Sequence, residues 1–73
     1  MEVFFLVNKV KELREKSNLT QKELGEKVGV SRQAINAIET GKFDPSIWLA
    51  YDLAKYFELN IEEIFDFEGS VRK

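Results

Sequence analysis

Residues 20–41 of the chain read TQKELGEKVGVSRQAINAIETG, and that stretch decides the fold. It opens on a reciprocal start signal. The Thr20 hydroxyl is placed to accept from the amide of Glu23 while the Glu23 carboxylate reaches back to the Thr20 amide, so a helix begins there. Leu24 and Val28 recur at i and i+4 on one face of it. A glycine costs about 1 kcal/mol relative to alanine inside a helix, so Gly25 predicts a close approach by another helix. Gly29 takes positive φ without steric penalty and ends the helix, after which Val30 turns inward. Ser31 is a second N-cap residue. Ile35 and Ile38 follow as a buried stripe, and the pattern stops at Gly41.

That inner stripe leaves Arg32, Gln33, Asn36 and Ala37 facing outward. Two helices crossing steeply through a turn of three or four residues, the second with an exposed polar N-terminal half, form a helix-turn-helix over residues 20–40. Arginine can give two hydrogen bonds to guanine O6 and N7, and glutamine or asparagine can pair likewise with adenine N6 and N7. Gln21 stands in the first turn of its helix, where free amides and the positive dipole end favour a phosphate.

On the N-terminal side of the motif, Val10, Leu13 and Leu19 supply the apolar positions of a first helix running from Asn8 to about Ser17, with Asn18 as a left-handed stop. After the motif, residues 43–46 form a loop in which Pro45 suits the first turn of the next helix and Asp44 or Ser46 can cap it. That fourth helix turns Ile47, Ala50, Leu53, Ala54 and Phe57 inward. Asn60 and Glu63 make another capping box, opening a short fifth helix through Ile61, Ile64 and Phe65. Residues 2–7 alternate Val3, Phe5 and Val7 with Phe4 and Leu6 and read as a strand apolar on both faces. Its partner is the aromatic stretch 64–68, giving an antiparallel pair of the two ends, with 69–73 as a frayed tail. The expected fold is mainly α: five helices plus that strand pair, in one domain over residues 1–73.

Composition narrows the function. The 73 residues include no cysteine and no histidine, which removes disulfides, thiolate and imidazole metal ligation, and His- or Cys-based catalysis. There is no glycine-rich phosphate loop, and the neighbours Glu62 and Glu63 point to different sides of a helix, so no carboxylate dyad forms. The chain is therefore not expected to be an enzyme or to need a metal, a cofactor or a small-molecule ligand. The run VFFLV is too short for a membrane span and lacks basic residues before it, so a cytoplasmic protein without membrane association is expected. The net charge of −2 argues against nucleic acid. Its distribution does not: residues 1–45 carry eight Lys/Arg against seven Asp/Glu, and residues 46–73 carry three against six. Screening over about 8 Å at physiological salt lets a basic face bind phosphate while the far side is acidic.

With the flanking stretches NKVKELREKSN and PSIWLAYDLAKYFELNIEEIF, residues 8–65 closely resemble the lambda-repressor-like Cro/Xre family of helix-turn-helix transcription regulators, in their short single-domain form. The resemblance implies a five-helix repressor that binds a near-palindromic operator in double-stranded DNA as a homodimer. It implies base contacts from Arg32 and Gln33, with Asn36 and Ala37 on the next turn, and phosphate contacts from Gln21, Ser31 and Lys42. It also implies a partly buried ion pair between Arg14 and Glu39. Trp48, Tyr51 and Tyr56 are more aromatic than the helix core requires: either they pack in the core, or at least one lies in a dimer interface, where aromatics are enriched. The alternative is a protein-interaction module, an antitoxin or accessory subunit that keeps the fold and uses its aromatic C-terminal half on a protein partner.

Overall fold

The computed structural model describes residues 4–72. The order is β1 (Phe4–Asn8), α1 (Val10–Lys16), α2 (Gln21–Val28), α3 (Arg32–Glu39), α4 (Ile47–Phe57), α5 (Ile61–Ile64) and β2 (Phe65–Arg72). Short polar side chains set the helix starts, because the first amides of a helix have no intrahelical acceptor. Thr20 Oγ1 accepts from the Glu23 amide at 3.0 Å, and Glu23 Oε1 accepts from the Thr20 amide at 2.9 Å. The Thr20 amide, and after it the Thr20 hydroxyl, hold the Glu23 carboxyl below its ordinary range. Ser31 Oγ accepts from the Ala34 amide and Ser46 Oγ from the Leu49 amide. Ser46, not Asp44, therefore caps α4, and Pro45 stands just outside that helix rather than in its first turn. At α5 the Asn60 amide donates to Glu63 Oε1 at 2.9 Å.

The turn between α2 and α3 is closed by glycine. Gly29 sits at φ +77°, and the amides of Gly29 and Val30 both donate to the Gly25 carbonyl. A Cβ built on Gly25 would lie 2.5 Å from the Val30 carbonyl oxygen. Gly25 thus makes room for the backbone of its own turn, not for another helix as the sequence suggested. Asn18 takes the left-handed conformation at the end of α1, and Glu58 does the same after α4 without being a glycine.

Eleven side chains form one core: Leu6, Val10, Leu24, Ile35, Ile38, Leu49, Ala50, Leu53, Ala54, Ile64 and Phe65. Leu13, Leu19, Val28, Val30, Phe57 and Ile61 pack around it, partly buried. Ile47 does not join them: it is 77% exposed. Leu49, Ala50, Leu53, Ala54 and Phe57 define the inner face of α4, and Ile47 lies about a quarter turn from its centre at ~100° per residue, in the first turn.

The two strands pair antiparallel, with Phe4 opposite Arg72, Phe5 opposite Val71, Val7 opposite Asp66 and Asn8 opposite Phe65. Glu2 and Val3 of the expected strand lie outside the described residues. Two differences from the sequence reading have a common cause. Asn8 is in β1, so α1 begins at Val10, and residues 69–72 continue β2 instead of fraying. Between the two halves of the ladder β2 carries extra residues, bulged but tied down. The Gly69 amide donates to Asp66 Oδ1, the Ser70 hydroxyl donates to the Asp66 carbonyl, and Ser70 Oγ accepts from the Val7 amide at 2.9 Å. A side chain thereby replaces a ladder bond and returns the chain to β1.

A charged pair fastens α1 to α3. Arg14 Nε donates to Glu39 Oε2 at 2.6 Å and Nη2 to Glu39 Oε1 at 3.2 Å, with the two side chains 11% and 3% exposed. Arg14 Nη1 also donates to the Leu19 carbonyl at 2.8 Å, tying in the start of the α1–α2 connection. The hydrogen bond to Glu39 raises the Arg14 pKa above its ordinary value, so the guanidinium keeps its charge.

Gly29→Ala, which meets open space, should cost about 1–2 kcal/mol for its left-handed backbone alone. Gly25→Ala should cost more, because the Val30 carbonyl must move. Urea unfolding of both variants checks the order. Glu39→Ala should cost about 3–5 kcal/mol by stranding the guanidinium, and the Arg14→Met/Glu39→Leu double variant should lose less than the sum of its two singles. A double-mutant cycle in urea measures that coupling.

Candidate nucleic-acid interface

Helix α3 is amphipathic in the way its cap and spacing require. Ile35 and Ile38 have no exposed surface, while Arg32, Gln33 and Asn36 on the opposite side are exposed. Ala37 is half-buried at the edge of that outer face. Ser31, exposed, spends one lone pair on the Ala34 amide and keeps the other facing solvent. Lys42 lies exposed in the loop just past α3, its amide donating to the Ala37 carbonyl at 3.2 Å. Arg32, Gln33, Asn36 and Ser31 thus share one exposed side of the motif.

Gln21 is placed differently from a free surface glutamine. It is half-buried, and its side-chain nitrogen donates to Glu39 Oε1 at 3.0 Å and to Asn36 Oδ1 at 3.1 Å. Its backbone still lies in the first turn of α2. Arg14 and Glu39 take no part in the exposed face and sit behind it.

Sequence reasoning overlooked Asn8, read only as the start of α1. Its Nδ2 donates to the Ile38 carbonyl at 2.8 Å and to the Leu6 carbonyl at 2.9 Å, and its Oδ1 accepts from the Val10 amide at 3.1 Å. One carboxamide thus satisfies a carbonyl near the end of α3 and an amide at the start of α1. An asparagine two residues before an apolar helix position is the signal that could have found it.

Among the described residues no group of three or more carboxylates is placed to hold a metal ion, and no helix is long and apolar enough to cross a membrane. The chemistry of the exposed α3 face is hydrogen bonding by one guanidinium and two carboxamides on a rigid support.

Comparison with known proteins agrees with the helix-turn-helix fold. Residues 10–64 match the family model described as helix-turn-helix. An HTH-type transcriptional regulator of Methanocaldococcus jannaschii is 56% identical over 61 residues, covering 84% of this chain and 92% of that protein. One from Archaeoglobus fulgidus is 48% identical over 60 residues, covering 82% and 84%. Among solved structures, the restriction-modification controller protein C.AhdI of Aeromonas hydrophila superimposes with a TM-score of 0.68 at 25% identity, covering 75% of this chain and 83% of that one. A Bacteroides fragilis protein at 20% identity, TM-score 0.70, shares the fold over 82% of this chain and 97% of its own. The chain belongs to the helix-turn-helix family of Cro/C1-type transcriptional regulators.

Proposed function

We propose that this cytoplasmic regulator is a repressor that binds a near-palindromic operator as a homodimer, with the N-terminal half of α3 in the major groove. The observation that carries the reading is the exposed trio Arg32, Gln33 and Asn36 over a fully buried Ile35 and Ile38. A guanidinium and two carboxamides on one helix face match base edges, and a helix fixed by its core holds them still enough to discriminate. Ala37, beside them, offers a methyl for thymine. Ser31 and Lys42 flank the helix as phosphate contacts, and Gln21 contributes through the first-turn amides of α2, since its side-chain nitrogen is taken up by Glu39 and Asn36. Repression by occupancy needs nothing beyond this binding.

The dimer is supported by the outer face of α4. Ile47 and Trp48 are 77% and 73% exposed, and the Trp48 ring packs edge-on against Tyr51 with centroids 6.3 Å apart. Exposed large apolar side chains grouped in this way mark association surfaces. A near-palindromic operator calls for a twofold dimer whose two copies of α3 enter major grooves about one turn, ~34 Å, apart.

Arg32→Ala should weaken specific binding by about 1–3 kcal/mol and relax base choice at one position per half-site in a gel-shift series, whereas unchanged affinity and preference would remove Arg32 from the interface. Trp48→Glu should shift the protein toward monomer in sedimentation equilibrium and lower operator affinity while leaving the helical circular dichroism intact. A chain that binds no duplex at low salt but captures a protein partner would instead be an interaction module.

A further inference from the structure

The α2–α3 contact holds a chain of hydrogen bonds whose polarity is fixed at one end by charge. Gln21 Nε2 donates to Glu39 Oε1 at 3.0 Å and to Asn36 Oδ1 at 3.1 Å. A primary amide nitrogen carries two hydrogens, so both are engaged. Both oxygens of the Glu39 carboxylate accept from Arg14, so toward Gln21 as well it acts as an acceptor. The nitrogen of Gln21 must therefore face it, because the oxygen would set two acceptors against each other. Once that nitrogen is fixed, the Asn36 atom beside it has to be the oxygen. The Asn36 carboxamide is not free to flip. Its Oδ1 is turned back toward Gln21, and its Nδ2, with two N–H donors, is left on the exposed side of α3.

We infer that Gln21 is a positioning residue for base recognition, holding Asn36 so that it presents only donors to the groove and reads the paired acceptors O6 and N7 of a guanine at one position of each half-site. This rests on the DNA-binding reading of α3. The usual asparagine partner is adenine, whose N6 amino group donates to Oδ1 while N7 accepts from Nδ2. An oxygen turned toward Gln21 does not meet N6. A guanine edge needs no acceptor from the protein, so it fits the held carboxamide and adenine does not. Arg14 and Glu39 sit behind Gln21 and set the direction of the whole chain.

The test is selection of bound duplexes from a random library by the full chain, by Gln21→Ala and by Asn36→Ala, each first shown by circular dichroism to be folded at the temperature of the selection. The parent should enrich guanine over adenine on the order of tenfold at one position per half-site, and Asn36→Ala should lose that preference. Gln21→Ala, by freeing the carboxamide to flip, should accept adenine and guanine about equally at that position alone. Adenine enriched there by the parent would overturn the assignment. So would a Gln21→Ala variant that weakens every sequence alike, as loss of a phosphate contact would. In the free protein, nitrogen-15 spectra should show slowed exchange of the Gln21 side-chain hydrogens and a shift of the Asn36 side-chain resonance in Gln21→Ala; unmoved resonances would remove the geometry. If the parent selects no duplex, the regulator reading falls as well. If it selects an operator whose bases are indifferent to Gln21, only the positioning role falls.

Discussion

Glu39 is the point at which three helices are made to agree. Its side chain is nearly removed from water, and a buried carboxylate is tolerated only when its lone pairs are taken. Arg14 supplies two donors from α1 and Gln21 supplies one from α2. Such a pair adds little net stability over a well-packed apolar replacement, because desolvation offsets most of the attraction. It also bears on arrangement: a packing that parts Glu39 from Arg14 or Gln21 leaves a charge or an amide unpaired. The apolar core draws these helices together without direction, and the carboxylate selects among the ways they could meet.

Rigidity of the exposed α3 face follows from what lies beneath it. Ile35, Ile38 and Leu24 have no accessible surface, the Ser31 cap fixes the first turn, and Asn8 binds a carbonyl near the last one. Both ends and the underside of an eight-residue helix are thus constrained, although a helix of that length is unstable in isolation. The polar outer residues are spared any part in the hydrophobic packing. They are free to be chosen for what they touch outside the protein.

The sequence displayed its local structure plainly and its distant contacts poorly. The Thr20 box, the Ser31 cap, the Gly29 stop and the Ile35/Ile38 stripe all act over three or four residues, and spacing along the chain is enough to read them. The Arg14–Glu39 pairing was legible through family resemblance, since nothing in two residues 25 positions apart announces a contact. The bulge in β2 was not legible: its decisive bond joins Ser70 to Val7 across 63 positions, and GSVR alone resembles a loose end. Ile47 misled because a purely apolar side chain carries no mark of whether the core extends as far as its own turn. The Gln21–Asn36 bond was hidden for a further reason, as both residues have a credible use on a DNA surface when each is considered alone.

The ribbon that pairs Phe4 with Arg72 makes order of assembly a matter of geometry. Few contacts in the molecule bridge a longer loop, and the entropy of closing it is met only after α1 through α5 have shortened the path between the strands. A nascent chain can pack its recognition motif early and seat Leu6 against Gly41, yet the ladder of β1 has to wait until β2 has been synthesised.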